Sequence, residues 1–287
     1  MIIVRLKGGL GNQLFQYSFA KYVGHLTTRK VYLDTFWYGE SRRKYHFPLS
    51  IENFNVRLNK LPVSVAKHYG QYAFAMKLLG GKIFNFVPVR VTDDNFSEDI
   101  IKANRNVVLD GYWEDHSFFD GLRDDLLREV TLKRNLSNSN EEYYREISHT
   151  DSVSVHFRGG QYLSDPDIRN LYADLSRSYY STAMDIMNHT IGRPRFYVFT
   201  NDIPEARKTF VGIENVTIIE SKSPDFEHLY LMSQCKHNII GNSTFSWWGA
   251  WLNKNANKVV VAPKLWFAPD NHARPTSIPP DWIRVDN

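Results

Sequence analysis

Cysteine is almost absent from this 287-residue sequence: Cys235 is the only one, so no disulfide can form within the chain. Such usage is typical of a reducing compartment. No run of about 18 apolar residues, which a membrane-spanning helix requires, is present. The N-terminal residues are not expected to act as a signal peptide. The formal net charge is only +4. That excess does not indicate a nucleic-acid partner, but it is compatible with an anionic small ligand or an acidic membrane surface.

The composition nevertheless supports well-packed domains. Hydrophobic residues make up 43% of the chain and aromatic residues 14%, while the 23% of charged residues argues against disorder. The length is about twice that of a usual single domain, which predicts two domains, residues 1–140 and 141–287. The polar segment SNSN at residues 137–140 is interpreted as a linker between them.

Short apolar runs alternate with helical patterns along both halves. Predicted strands cover residues 2–6, 31–34, 107–112, 152–157, 195–200, 216–219, 238–240 and, as the last one, 259–262. Predicted helices cover residues 13–26, 65–79, 117–129, 179–188 and 226–235. Strands that alternate with helices predict α/β halves with parallel, doubly wound sheets.

A glycine-rich loop, GGLGNQ at residues 8–13, lies between the first strand and the first helix. It matches neither the dinucleotide fingerprint nor the phosphate-binding P-loop. Gly9 and Gly11 let the backbone turn sharply and approach a ligand closely. A tight strand-to-helix turn explains the glycines equally well, but Asn12 and Gln13 favour function, because amides placed there can bind sugar hydroxyls.

The second motif, VSVHFRGGQY at residues 153–162, is a strand that ends in polar residues and glycines. His156 and Arg158 alternate, so both point to the same face of the strand. An arginine at the carboxyl end of such a strand can hold a diphosphate with its two-pronged guanidinium. The competing interpretation is a salt-bridged arginine beside a core histidine.

The third motif begins as a buried strand at residues 238–240 and continues through Gly241 and Asn242 into Ser243, Thr244 and Phe245. Its polar residues are good helix N-caps, and a helix start with hydroxyl groups can bind phosphate. The tryptophans at positions 247, 248 and 251 are better explained as core residues.

Three stretches carry a family resemblance: GGLGNQLFQYSFAK (8–21), VSVHFRGGQY (153–162) and LYLMSQCKHNIIGNSTFSWWGAWL (229–252). They resemble the signature regions of the bacterial α-1,2-fucosyltransferases of glycosyltransferase family 11, and weaker matches at 110–113 and 199–202 extend the similarity over nearly the whole chain. The resemblance implies the α/β fold called GT-B, two Rossmann-like domains facing a cleft. Residues 1–140 would form the acceptor side, and residues 141–287 would bind the GDP-sugar.

The family implies an inverting, metal-independent transfer of L-fucose from GDP-β-L-fucose to the 2-hydroxyl of a galactose-containing glycan, such as an O-antigen or capsule unit. No cofactor beyond the donor substrate is expected. Carried onto this sequence, the resemblance places Arg158 at the β-phosphate, His156 by the guanosine and Asp202 near the base. Substrate-binding residues would be Gly9, Gly11, Gln13, His156, Asp202, Ser243, Thr244 and Phe245.

Arg158, Asn12 and Asp165 are the predicted catalytic residues. The general base stays open among Asp165, Asp167 and Asp115, because a carboxylate is required and the sequence favours none of them. The segment Asp165-Pro166-Asp167 matches the Asp-x-Asp of some metal sites, but its proline and loop position favour a solvated turn. No metal site is therefore predicted.

The sequence departs from the family's His-x-Arg-Arg-x-Asp pattern at Gly159 and Gln161. Losing a cation and an anion together indicates a lost ion pair, so either charge restored alone should lack a partner. The departure leaves two alternatives open: the donor is another GDP-linked deoxyhexose, or the protein is a noncatalytic sugar-binding relative. A protein-fucosylating or nodulation-type fucosyltransferase is a further alternative, against which the long aromatic third region argues.

The expected partners are the GDP-sugar donor and a galactoside acceptor, without nucleic acid. Animal members of the family carry a membrane anchor ahead of the region where this chain begins. A chain that starts directly on its first strand is therefore expected to be bacterial and cytoplasmic, with peripheral association at the inner face of the membrane.

Overall fold

The structure is a computed structural model that describes residues 1–39, 46–62, 88–159, 170–269 and 276–287. The chain divides into two units, Met1–Glu129 and Val130–Asn287. This division precedes the boundary expected at residue 140. The predicted helix at 65–79 lies outside the described residues.

The first unit is built on a four-stranded parallel sheet with strand order β2-β1-β4-β3. Its strands are β1 (Ile2–Arg5), β2 (Val31–Asp34), β3 (Val89–Val91) and β4 (Val107–Leu109). Strand β1 lies inside the sheet, and its apolar residues are completely or almost completely buried, as the continuous apolar run predicted. Strand β3 was not predicted from the sequence, because it is only three residues long and two of its residues are exposed.

The helices of the first unit are α1 (Leu10–Thr27), α2 (Glu98–Ala103) and α3 (Arg123–Glu129). Helix α1 begins at Leu10, before the predicted residue 13, because Gly9 takes the N-cap position and the glycine-rich motif supplies the first helical turn. The helix predicted over 117–129 was too long. Two 3-10 turns, His116–Phe118 and Asp120–Leu122, precede α3.

The second unit holds a six-stranded parallel sheet with strand order β10-β9-β8-β5-β6-β7. Its strands are β5 (Ser152–Phe157), β6 (Arg195–Thr200), β7 (Val216–Ile218), β8 (His237–Ile239), β9 (Val260–Pro263) and β10 (Ile283–Val285). The prediction that 259–262 forms the last strand was wrong. Strand β10 follows it at the sheet edge, where it is only three residues long and mostly exposed.

The helices of the second unit are α4 (Asn138–His149), α5 (Arg177–Ile191), α6 (Ile203–Thr209), α7 (Asp225–Gln234) and α8 (Thr244–Trp251). The predicted linker at 137–140 is instead the start of α4, with Ser137 as its N-cap. The same polar residue types favour turns and helix caps, so composition alone could not separate the two. Asn140 is completely buried and donates to Glu227 Oε2 at 2.7 Å.

The core of the second unit explains the aromatic third motif. Trp247, Trp248 and Trp251 are buried, which confirms their interpretation as core residues. The Trp247 indole donates to the Ser277 carbonyl at 2.9 Å, and its ring lies 5.2 Å from that of Trp248. These contacts anchor α8 and therefore fix the position of its N-terminus at the edge of the sheet.

Candidate functional site

Strand order defines the ligand-facing edge of the second sheet. Strands β5 and β8 are neighbours, although β6 and β7 come between them in the chain and lie on the other side of β5. Such a reversal is a topological switch point, where ligands bind beyond the carboxyl ends of the strands. The second motif ends β5 and the third follows β8. Arg158 and Ser243 therefore come from neighbouring strand ends.

His156 lies at the carboxyl end of β5, against the start of the third motif. A Cβ atom added to Gly241 would lie 3.3 Å from the His156 carbonyl oxygen and 3.5 Å from its Nδ1. The rings of His156 and Phe245 have centroids 5.7 Å apart. Burial, followed by the charges of Arg158 and His228, lowers the pKa of His156 to about 3. The imidazole is therefore neutral at pH 7.

The Nδ1 atom of His156 is buried and has no hydrogen-bond partner among the described residues. A buried polar atom in this state costs about 1–3 kcal/mol. The backbone beside it is fixed, since the Tyr180 hydroxyl donates to the His156 carbonyl at 3.3 Å. A neutral imidazole with an unsatisfied nitrogen at the switch point is suited to hydrogen bonding with a ligand.

Arg158 follows β5 directly, and its guanidinium carbon lies 5.3 Å from the centroid of the Tyr172 ring. A cation–π contact of this kind holds the guanidinium beside the ring. An arginine guanidinium can donate two parallel hydrogen bonds to phosphate oxygens. The geometry agrees with the predicted role of Arg158, which stays a prediction.

Gly159 is fastened to the end of the neighbouring strand β6. Its N–H donates to Asn201 Oδ1 at 3.1 Å, and its carbonyl accepts from Asn201 Nδ2 at 3.0 Å. A Cβ atom at position 159 would lie 3.1 Å from both Asp202 Cβ and Phe157 Cε1, and 3.5 Å from Asp202 Oδ2. Glycine therefore permits a close approach between the two strand ends.

This approach bears on the predicted loss of an ion pair, which stays a prediction. An arginine at position 159 would have the Asp202 carboxylate within reach, so a cation restored there alone would not lack a partner. Asp202 also caps α6, since its Oδ1 accepts from the Glu205 N–H at 3.1 Å. Its predicted place near the base stays a prediction. Gln161, Asp165 and Asp167 lie outside the described residues.

The third motif presents a capped helix start at the same edge. The Ser243 hydroxyl accepts from the Phe245 N–H at 3.3 Å and caps α8. Asn242 holds the preceding turn, because its Nδ2 donates to the carbonyls of Ala173 at 2.6 Å and Trp266 at 3.1 Å. The first N–H groups of a helix carry partial positive charge. Thr244 and Phe245, in the first turn, are partly exposed and can meet an anionic group there.

Three residues of this site were missed from the sequence. Tyr172 gave no signal, because it reaches Arg158 only through the fold. Asn201 follows a predicted strand end, and a polar residue at that place could have been predicted to bind a ligand or a neighbouring strand end. His228 lies on α7, and its Nε2 is 2.8 Å from the Ser221 hydroxyl. Burial lowers the pKa of His228, against an opposing effect of the neighbouring Glu227.

In the first unit, the glycine-rich loop is held by a buried amide. Gly8 has a φ of +80°, which favours glycine, and its carbonyl accepts from Gln13 Nε2 at 3.1 Å and from the Tyr38 hydroxyl at 3.0 Å. Gln13 is completely buried, and it also bonds to the Pro48 carbonyl and the Ile51 N–H. Gln13 therefore stabilises the loop, and its predicted role in substrate binding stays a prediction.

Asn12 is the polar residue of this loop that stays partly exposed. It lies in the first turn of α1, where a Cβ atom on Gly8 would be 2.7 Å from its Nδ2. Gly9 is the helix N-cap, and Gly11 is buried in the first turn. The loop follows β1, which neighbours β4 at the switch point of the first sheet. The roles given to Asn12, Gly9 and Gly11 stay predictions.

Within the described ranges, no group of three or more His, Cys, Asp or Glu side chains is placed to hold a metal ion. Asp115, a candidate general base, caps a 3-10 turn by accepting from the Ser117 N–H at 3.1 Å and its hydroxyl at 2.8 Å. In the same part of the chain, no helix combines the length and apolarity needed to cross a bilayer.

Each unit is an α/β unit built on a parallel sheet, as in the GT-B fold class. Solved fucosyltransferases share this fold. The NodZ alpha-1,6-fucosyltransferase soaked with GDP-fucose matches with a TM-score of 0.51 and 12% identity, over 88% of this chain and 92% of that chain. A mutant of Arabidopsis thaliana FUT1 in complex with GDP matches with a TM-score of 0.50 and 11% identity, over 90% of this chain and 69% of that one.

The sequence profile described as Glycosyl transferase family 11 matches residues 1–286, so the chain belongs to glycosyltransferase family 11. The Escherichia coli O-antigen biosynthesis glycosyltransferase WbnK is 28% identical over 98% of this chain and 99% of its own length. The alpha-1,2-colitosyltransferase of Escherichia coli is 27% identical over 100% of this chain and 99% of that protein. These matches confirm the predicted family and enzyme class.

Proposed function

We propose that the protein transfers L-fucose from GDP-β-L-fucose, with inversion, to the 2-hydroxyl of a galactose-containing glycan. The observation that carries the proposal is the switch-point site of the second sheet, where Arg158, His156 and the start of α8 converge. A guanidinium and a helix N-terminus are both complementary to a diphosphate. Solved fucosyltransferases of the same fold bind GDP-fucose or GDP, which supports this donor class.

In the proposed reaction, the galactose 2-hydroxyl oxygen forms a bond to C1 of fucose while the bond from C1 to the β-phosphate oxygen breaks. The hydroxyl proton passes to a general base, and GDP leaves with the bonding electron pair. Negative charge grows on the leaving diphosphate, so Arg158 and the N–H groups at the start of α8 stabilise the transition state more than the ground state. His156 is neutral and acts by hydrogen bonding.

The general base stays open between Asp115 and the carboxylates outside the described residues. Asp115 uses one carboxylate oxygen, Oδ1, to cap its turn. A side chain that caps a turn is well oriented, and a carboxylate is the group expected to take the hydroxyl proton. An Asp115→Asn variant keeps a side-chain oxygen for the cap but cannot act as a base. Unchanged kcat for this variant would exclude Asp115 from proton transfer.

The acceptor class is supported by the matched relatives. The E. coli relative WbnK is named for O-antigen biosynthesis, and a rabbit galactoside alpha-(1,2)-fucosyltransferase is 26% identical over 62% of this chain and 53% of its own length. We extend this to an O-antigen or capsule unit with a terminal galactose, met by the enzyme at the inner face of the membrane. Association with that surface is part of the proposal.

The experiment that tests the function is a donor screen with linkage analysis of the products. GDP-fucose, GDP-mannose and UDP-galactose are each incubated with a β-galactoside acceptor, and the product linkage is read by NMR. Transfer from GDP-fucose alone to the 2-hydroxyl is expected. Transfer from a UDP-sugar, or to another hydroxyl, would contradict the proposal.

A second candidate donor is a different GDP-linked deoxyhexose. The specific observation is the match along the full chain to an alpha-1,2-colitosyltransferase, joined to the departure at Gly159. With no side chain at position 159, the space beside Asp202 differs from that of a family member with arginine there. Adding GDP-colitose to the screen separates the candidates, because the preferred donor has the higher kcat/KM.

A further inference from the structure

The carboxyl ends of β1 and β4 bring a lysine and an exposed tyrosine together in the first unit. Val4 pairs with Leu109 in the parallel register, so Lys7 and Tyr112 stand at equivalent positions beyond the two strands. Their side chains meet, with Lys7 Nζ 4.5 Å from the centroid of the Tyr112 ring. Because this is the switch point of the first sheet, the pair lies where a ligand is expected.

The loop that carries Tyr112 is rigidly held. Asp93 accepts from the N–H groups of both Tyr112 and Trp113 at 2.8 Å. Trp113 adopts a φ of +58°, a strained conformation for a bulky residue, and its buried ring stacks on Phe19 at 4.1 Å. Strain of this kind persists only where the surroundings fix it. The loop therefore presents the Tyr112 ring, 43% exposed, in a preset position.

Other aromatic rings surround the glycine-rich loop beside it. Phe47 is 37% exposed, and a Cβ atom on Gly9 would lie 3.5 Å from its ring. Tyr38 donates its hydroxyl to the Gly8 carbonyl. Burial raises the pKa of Tyr38, and the nearby Tyr112 phenol raises it further. Phe47 and Tyr38 thus lie against Gly8–Gly9, and Tyr112 lies near Tyr38. These three rings are called the aromatic rim.

Charged groups border this rim. Asp110 is buried and accepts from Arg5 at 2.9 Å, Lys7 at 3.1 Å and Arg90 at 2.7 Å. Burial alone would raise the pKa of Asp110, but Lys7, Arg5 and Arg90 together lower it. The cluster therefore stays charged at neutral pH. An exposed aromatic ring bordered by fixed hydrogen-bonding groups suits a sugar, which has both an apolar face and a rim of hydroxyls.

We infer that Tyr112 is the stacking platform for the acceptor galactose, an assignment that rests on the proposed function. In β-galactopyranose the hydrogens on C3, C4 and C5 form one apolar patch, which can pack on an aromatic face. The equatorial 2-hydroxyl projects from the ring edge and stays uncovered in that pose. The platform thereby holds the galactose by the face that does not react.

The test compares Tyr112→Ala with Tyr112→Phe, and uses Tyr32→Ala as the matched control. Tyr32 also has a lysine over its ring, Lys30 at 5.1 Å, but it lies within β2 and not beyond a strand end. With methyl β-D-galactoside, Tyr112→Ala should raise the acceptor KM about tenfold or more. Tyr112→Phe and Tyr32→Ala should stay near wild type. The KM for GDP-fucose and its slow hydrolysis without acceptor should not change.

Direct binding of methyl β-D-galactoside, followed by ligand-observed NMR in the presence of GDP, separates this inference from the proposed function. If the wild type transfers fucose and Tyr112→Ala has an unchanged acceptor KM, the platform is overturned and the function stands. If no transfer to galactosides is found but binding is lost in Tyr112→Ala, the platform stands and the function fails. Equal binding by both proteins overturns the platform in either case. Thermal unfolding of each variant shows that a lost signal is not lost folding.

Discussion

Replacing Gly111 by alanine should dismantle the loop that carries Tyr112. A Cβ atom at this position would lie 2.6 Å from Asp93 Oδ2, 2.8 Å from Asp93 Cγ and 2.8 Å from Trp113 Cε2. Real Cβ atoms do not approach other atoms so closely, so either the carboxylate or the indole must move. The Asp93 carboxylate is the less firmly packed of the two, because the Trp113 ring is buried and stacked on Phe19.

The cost follows from what Asp93 holds. Moving its carboxylate weakens two hydrogen bonds from backbone N–H groups, each worth about 1.5–3 kcal/mol when the acceptor is charged. Some bonding will survive in a relaxed geometry, while residual overpacking against Trp113 adds about 1 kcal/mol or more. We expect Gly111→Ala to lower the free energy of unfolding by about 2–4 kcal/mol. At about 3 °C per kcal/mol, the Tm should fall by roughly 6–12 °C.

The assay is chemical denaturation of Gly111→Ala, Asp93→Ala and the double variant, with acceptor KM measured beside it. Asp93→Ala makes room for the new methyl group, so the double variant should cost less than the sum of the single variants, by about 0.5–3 kcal/mol. The acceptor KM should rise in all three, since each frees the Tyr112 loop. A Gly111→Ala protein as stable as wild type, or strict additivity of the two changes, would refute this reasoning.

The remaining predictions concern the second unit and the role of metal. Arg158→Ala should lower kcat/KM at least ~100-fold, about 2.7 kcal/mol of transition-state stabilisation, and a loss of only a few-fold would remove it from the site. The pKa of His156 is about 3, below its ordinary value, so the unfolded chain binds a proton between about pH 6.5 and 3 that the folded chain does not. The free energy of unfolding should therefore decrease as the pH is lowered through that window, by up to ~1.4 kcal/mol per pH unit. His156→Gln should lack this contribution when denaturation is measured at each pH. The arginine of Gly159→Arg should pair with Asp202. Asp202→Asn, which keeps the helix cap, should therefore destabilise the arginine variant by ~0.5–3 kcal/mol more than it destabilises wild type. If the effects of the two substitutions on stability are additive, there is no ion pair between the arginine and Asp202. Activity should survive dialysis against EDTA, and a loss restored by Mn²⁺ would reveal a metal site beyond the described residues.

Much of the fold could be predicted from local signals. Strands at 31–34, 152–157 and 195–200 were predicted to the residue, because each is an apolar or alternating run bounded by turn-forming residues. The helix start at Ser243 was also readable, since N-capping depends on residues within one turn. The family could be recognised from the three signature regions, because each of them is a contiguous stretch of chain. The predictions that failed concern short or ambiguous elements, namely β3, β10 and the polar residues that begin α4.

By itself, then, the sequence determined the α/β class, the family and the motifs that supply the chemistry. Only tertiary structure decided which motif residues are buried and which stay exposed. Gln13 has the composition of a binding residue, yet the fold buries it against Pro48 and Ile51, which are distant in the sequence. The close approach of Gly159 to Asp202 and the contact of Tyr112 with Lys7 arise only when separate strands are aligned side by side. Local preference is set by neighbours along the chain, whereas burial, pKa and ligand geometry depend on long-range contacts that no single stretch of sequence encodes.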